Sequence, residues 1–180
     1  MGARQDEFER VAMPHSRSLL RVARRLTLDV AAAEDLVQET MLLAWRGFDQ
    51  FRAGTNAPAW LYRILFNAFH ARGRKLRASP ITTPFGPSYE ESGAYSMATS
   101  VRDAAEVSLA LGKLPLEHRT VLLLGVVEGF TCREIAEILA VPIGTVMSRL
   151  SRARQGLRAQ LSSATSIRNA PKEASWVTHA

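Results

Sequence analysis

The chain has a single cysteine, Cys132, among its 180 residues, which excludes an internal disulfide and fits a reducing, cytoplasmic setting. Its four histidines, His15, His70, His118 and His179, are scattered. Neither they nor the cysteine have the spacing of a zinc site, and no metal or other cofactor is expected. Long apolar runs are missing too. The longest, Val121 to Val127, contains a glycine and falls far short of the roughly 20 residues a membrane helix needs, so no stable membrane insertion is expected. The first residues, with Arg4, Asp6, Glu7, Glu9 and Arg10, lack the apolar stretch of a secretory signal. Nowhere do apolar residues alternate with the period of two that marks a strand.

What is present is 47% hydrophobic residues, an ordinary globular share, and 23 Lys+Arg against 17 Asp+Glu, a formal charge of +6. Such a surplus points to a polyanionic partner or an acidic membrane surface. It sits at the ends of the chain: residues 1–80 carry 13 Lys/Arg against 8 Asp/Glu, whereas residues 81–105 carry one Arg against three acids.

Periodicity divides the chain in two. Residues 6–77 read as three helices, with apolar positions Phe8, Val11, Ala12, Leu19, Val22 and Leu26, then Leu36, Val37, Leu43 and Ala44, then Leu61, Ile64, Leu65 and Ala68. Pro14 falls inside the first pattern and must kink or restart that helix. Asp29 is placed to cap the second helix, and Asn56, with Pro58 in the first turn, the third. From Ala78 to about Val101 the chain is rich in Ser, Thr, Pro and Gly and reads as a flexible linker. Residues 102–161 are periodic again, punctuated by Leu114-Pro115, Gly129 and Val141-Pro142, which implies four short helices. Residues 162–180 have no amphipathic pattern and read as a disordered tail. The expectation is all-α: a three-helix domain over 1–77, a linker over 78–101, a four-helix domain over 102–161.

The strongest local signal is Thr131-Cys132-Arg133-Glu134, a capping-box spacing ahead of Ile135, Ile138 and Leu139. A second helix follows the tight turn at Val141-Pro142, with Val146, Leu150, Ala153, Leu157 and Leu161 on one face. Such a pair suits a DNA-binding helix-turn-helix. With that face inward, Ile143, Met147, Ser148, Ser151 and Arg152 turn toward a major groove. Ser148 and Arg152 are then base readers, and Arg133, Arg149 and Arg154 phosphate ligands. The bland alternative is a solvated basic face. Cys132 at a helix start also invites an enzymatic or redox reading, but no partner base has suitable spacing.

In the first half, Asp35, Gln38 and Glu39 form an acidic face, which is either plain surface or a dock for a basic protein. The third helix lines up Trp60, Arg63, Asn67, His70 and Arg74. Aromatic, amide and cationic groups so mixed suit partly unstacked nucleic acid. The preceding loop, Phe51-Arg52-Ala53-Gly54-Thr55-Asn56, can pocket a flipped base. For Trp60, a buried packing role is the competing reading.

Three segments carry a family resemblance: Ala33-Glu34-Asp35-Leu36-Val37-Gln38-Glu39-Thr40; Ala59-Trp60-Leu61-Tyr62-Arg63-Ile64 with Asn67; and Gly144-Thr145-Val146-Met147-Ser148-Arg149-Leu150. Together they resemble the extracytoplasmic-function sigma factors, across residues 6–161. The resemblance implies a non-enzymatic subunit that directs core RNA polymerase to promoter DNA. Asp35, Leu36, Gln38, Glu39 and Thr40 would meet the beta-prime clamp helices of the polymerase, and the chain would also meet its beta flap. Phe51, Arg52, Thr55, Asn56, Trp60, Arg63, Asn67, His70 and Arg74 would capture and melt the minus-ten element. Arg133, Ile143, Gly144, Thr145, Met147, Ser148, Arg149, Ser151, Arg152 and Arg154 would serve the minus-thirty-five element. The resemblance further implies an anti-sigma protein clamping both domains, and a linker running toward the RNA channel. Gly54-Thr55-Asn56 and Pro142-Ile143-Gly144-Thr145-Val146-Met147 look closest to the group held by zinc-containing, thiol-sensing anti-sigma factors. Pro58 in the pocket loop and the small Ser151 depart from the family pattern. The rival class is a stand-alone helix-turn-helix regulator, dimeric on a symmetric site.

Overall fold

The computed structural model describes residues 2–52, 54–78 and 106–168. The expected linker beyond Ala78 and residues 169–180 of the expected tail lie outside them. The described residues are helical, with no strand.

The first apolar pattern is broken where proline requires it. Helix α1 (Gly2–Ala12) gives way to a 3-10 turn, Met13–His15, that contains Pro14, and α2 (Ser16–Thr27) restarts beyond it. Carbonyls freed by the break are taken up locally, Ser16 Oγ donating to Met13 O at 2.8 Å and Ser18 Oγ to His15 O at 2.9 Å. Helix α2 ends in Leu28, which is left-handed at φ 59°, and Asp29 then caps α3 (Val30–Gly47), its Oδ1 accepting from the Ala32 amide at 2.6 Å. A 3-10 turn, Phe48–Gln50, and a loop lead to α4 (Ala57–Ala78), whose start Asn56 caps through Ala59 N–H at 3.0 Å. Pro58 stands in the first turn of that helix, where a missing N–H costs nothing.

The second half opens with α5, residues 106–112, and α6 (Leu116–Leu122). The latter widens into a π-helical turn, Leu123–Val127, closed by Glu128 N–H to Leu123 O at 3.1 Å. Helices α7 (Cys132–Leu139) and α8 (Ile143–Arg168) complete it. Helix α8 corrects the expected start of a disordered tail at 162. No Gly or Pro interrupts residues 157–168, and extending a formed helix adds one hydrogen bond per residue fixed.

The two halves share one continuous core. Leu19, Val22, Leu36, Leu61 and Leu65 from the first, and Val121, Leu123, Leu124, Ile135 and Val146 from the second, are all fully buried. Across the seam Tyr62 meets Phe130 edge to face, ring centroids 5.5 Å apart at 85°. Arg119 of α6, only 7% exposed, is its polar counterpart. Its Nη1 donates to Leu26 O at 3.2 Å and Arg25 O at 3.4 Å, its Nη2 to Gly112 O at 2.8 Å and Leu114 O at 3.2 Å. A cation thus sits on the carbonyls that end α2, where helix geometry leaves acceptors unpaired and the dipole is negative.

Candidate nucleic-acid interface

Helices α7 and α8 form the expected helix-turn-helix. The Thr131–Glu134 capping box is complete: Glu134 N–H to Thr131 Oγ1 at 3.3 Å, Thr131 N–H to Glu134 Oε2 at 2.8 Å. Those bonds, from the backbone first and the hydroxyl second, hold the Glu134 carboxyl below its usual range. Ala140, left-handed at φ 52°, makes the turn. Val146, Leu150 and Ala153 bury one face of α8. Ile143 and Met147 are 47% and 59% exposed, and Gly144, Ser148, Ser151, Arg152, Arg154 and, on α7, Arg133 are exposed beside them. Thr145 is half-buried, and its carbonyl accepts from Ser148 Oγ at 3.0 Å. A Cβ at Gly144 would touch nothing within 4 Å. Packing therefore does not demand glycine there, and its absence of side chain leaves the first-turn amides open to an anion.

Arg149 departs from expectation. It is paired with Glu117 of α6 and its side chain is only 22% exposed, so it is not a free phosphate ligand in this arrangement. The sequence pattern could not show this, because Glu117 reaches it through tertiary packing.

On α4, Arg63, Asn67, His70 and Arg74 stand exposed in a row. Burial first, then the charge of Arg74, lowers the pKa of His70 against an opposing pull from Glu117, so the imidazole is neutral at pH 7. Trp60 and Phe51 are half-buried. They pack on each other at 4.9 Å, and Phe51 stacks on Phe48 at 5.8 Å. This aromatic cluster anchors the loop. Within the loop Gly54 takes φ 84°, and Thr55 N–H and Oγ1 both donate to Arg52 O, at 3.2 and 2.7 Å. The side chain of Asn56 bridges the halves, Nδ2 donating to Glu134 Oε1 at 3.0 Å.

The acidic face of α3 needs two corrections. Leu36 and Thr40 are fully buried, and Thr40 Oγ1 is spent on Leu36 O at 2.7 Å, so neither side chain is at the surface. The exposed leucines of α3 are Leu42 and Leu43, 49% and 38% exposed; Leu43 had been expected inside. Asp35 and Gln38 are exposed, and Glu39 pairs with Arg72 at 2.6 Å. A second apolar surface was not legible: Val126, 60% exposed, lines a groove with Leu122, Leu157 and Leu161, bordered by Arg154 and Arg158. Val126 belongs to the π turn.

A cleft of about 220 Å³ lies between the two halves, with Asn67 and His70 of α4 on one side and Glu117, Val141 and Arg149 on the other. The molecule is thus two helical modules, each presenting a cationic polar face, folded against each other.

Comparison with known proteins gives this class its place. Residues 11–78 match Sigma-70 region 2, and residues 104–157 match Sigma-70, region 4. The ECF RNA polymerase sigma factor EcfG of Rhodopseudomonas palustris is 37% identical over 144 residues, 80% of this chain and 79% of that one. SigM of Mycobacterium tuberculosis is 35% identical over 150 residues, 83% of this chain and 74% of that one. Among solved structures, the sigma factor RpoE of Bartonella quintana, in complex with the anti-sigma factor NepR, superposes with TM-score 0.73 at 31% identity, covering 87% of this chain and 97% of that one. CnrH, in complex with the cytosolic domain of CnrY, gives 0.66 at 27% identity over 88% and 90%. The chain belongs to the extracytoplasmic-function sigma factors of RNA polymerase. It is an alternative sigma factor, which binds core polymerase and directs promoter recognition and opening. The stand-alone regulator alternative is not favoured, since both halves match sigma regions.

Proposed function

We propose a division of labour at residue level. Residues 1–77 engage polymerase and the minus-ten element, and residues 102–161 the minus-thirty-five element. On α3, Asp35, Gln38 and Glu39 with the newly exposed Leu42 dock on the beta-prime clamp helices, acid giving orientation and leucine giving buried area. The groove around Val126 receives the beta flap. On α4, Arg63 and Arg74 follow the backbone while Asn67 and His70 meet unstacked bases. Trp60 acts from behind, holding the loop of Arg52, Thr55 and Asn56 in place. On α8, Ser148 and Arg152 read base edges; Arg133 and Arg154 hold phosphates. An anti-sigma partner restrains the free protein, and the work is done in the cytoplasm, where core polymerase is.

The observation that carries this reading is the pair of exposed rows, Arg63–Asn67–His70–Arg74 on one half and Ser148–Ser151–Arg152 on the other. It has a geometric consequence. Elements centred near minus ten and minus thirty-five lie about 25 base pairs apart, roughly 85 Å at 3.4 Å per pair. Asn67 and Arg149 line one small cleft, so the halves must separate before both elements are read, which also frees Arg149 from Glu117.

Footprinting with and without core polymerase tests the reading. Protection of both elements, with opening around minus ten, is expected only with core. Full protection by the free chain would overturn it.

A further inference from the structure

Helix α2 carries a stripe of guanidinium groups that the promoter-reading scheme leaves unused. Arg17, Arg21, Arg24 and Arg25 share one side of the helix, opposite the buried Leu19, Val22, Ala23 and Leu26. They line a groove of about 410 Å³ together with Leu20 and with Ser108 of α5. Arginines four apart repel one another and cost an isolated helix about 0.2–0.5 kcal/mol per pair. Two carboxylates of this chain offset part of that repulsion. Glu128, at the end of the π turn, lies 2.8 Å from Arg21 Nη2 and 3.2 Å from its Nε. Glu34 lies 3.5 Å from Arg24. Arg17 and Arg25 have no carboxylate partner among the described residues.

We infer that this groove is a docking site for an acidic segment of a protein partner, with carboxylates spaced along a helix around an apolar side chain that seats on Leu20. Two features favour a peptide over nucleic acid. The stripe already holds carboxylates, Glu128 on Arg21 and Glu34 on Arg24. An apolar side chain, Leu20, lies among the guanidinium groups. Because Ser108 belongs to the second half, an occupant of the groove touches both halves. The inference deepens the anti-sigma reading above by naming the chemistry of one contact, and it rests on that reading only for the source of the segment.

The test uses the full chain and a labelled peptide of about 20 residues made of Glu and Leu at helical spacing, followed by fluorescence anisotropy at about 50 and 200 mM salt. The double variant Arg17→Ala/Arg25→Ala is expected to weaken binding about tenfold. Arg17→Glu, at an exposed position, should do the same. Arg63→Ala/Arg74→Ala, an equal loss of charge on α4, should leave peptide binding unchanged. Run-off transcription with core enzyme should be unchanged in the α2 variants, which separates this site from the promoter-reading scheme. Three results overturn the inference. Equal loss from both double variants would mean unspecific charge attraction. A fall in the salt dependence of promoter binding on α2 substitution, with peptide binding intact, would mean a nucleic-acid face. A tenfold gain in peptide affinity on neutralising Glu90, Glu91 and Asp103 would mean that the chain itself fills the groove.

Discussion

The two halves of the molecule are built to different standards of self-sufficiency. The first has a core of large rings: Phe8 meets Trp45 and Phe48 at 5.2 Å each, Phe48 stacks on Phe51, and Tyr62 and Phe66 are fully buried. Aromatic side chains bury more area each than any others and add edge contacts of about 0.5–1.5 kcal/mol. Among the described residues of the second half Phe130 is the one aromatic residue, and it packs on Tyr62 of the first. Its aliphatic core of Leu111, Leu114, Val121, Leu123, Leu124, Ile135 and Val146 leans on its neighbour. The difference teaches that a polar link, Arg119, does for the second half what aromatic area does for the first.

The most damaging way to break that comparison is Arg119→Ala. Four carbonyls lose their donor at once, and urea unfolding should show a loss of about 3 kcal/mol or more, concentrated in the second half. An equal substitution effect in both halves would show that Arg119 does not act at the seam. Next in size is Gly156→Val. A Cβ at Gly156 would stand 2.8 Å from Leu114 Cδ2, so the Leu114 side chain must move, and the bulk of a valine should cost about 1–3 kcal/mol; retention of wild-type thermal stability would contradict this packing.

Arg152→Ala is expected to cost about 1–3 kcal/mol in promoter binding with core polymerase and to relax preference at one base position. Equal weakening on all promoters would reassign it to phosphate. Arg149→Ala sharpens the same point, because Arg149 must first leave Glu117. Its effect on promoter binding should appear only with core polymerase, while the free chain loses the Glu117 pair.

The smallest effect is that of pH. His70 has its folded pKa below the ordinary value of 6.5. The unfolded chain therefore binds the proton more readily, and the contribution of His70 is fully present above pH 6.5 and lost as pH falls through the lower, folded value. His70→Gln should flatten the acid limb of the stability curve. An unchanged limb would show that His70 is as solvated folded as unfolded.

Much of this architecture was legible locally. Pro14, Asp29, Asn56 and the Thr131–Glu134 box act within four residues of themselves, because a proline lacks its own N–H and a cap bonds to its own helix. Their positions on the chain are enough to locate helix ends. Helical periodicity likewise separated Val146, Leu150 and Ala153 from Ser148 and Arg152. Misreadings cluster where periodicity is ambiguous or the partner is distant. Leu36 and Thr40 share the segment that carries the family resemblance with Asp35 and Gln38, yet a helix turns them about a hundred degrees per residue, and only packing against α2 and α4 decides which face is covered.

By itself, then, the order of residues determined an all-helical protein with a capped helix-turn-helix, an acidic helix and a cationic helix, since these follow from hydrogen bonds and side-chain spacing within a few turns. Tertiary structure alone decided that Arg119 would end α2, that Glu128 would reach Arg21, and that Arg149 would be held by Glu117. Those pairs join residues remote along the chain, and their energies exist only once the shared core has brought the halves together.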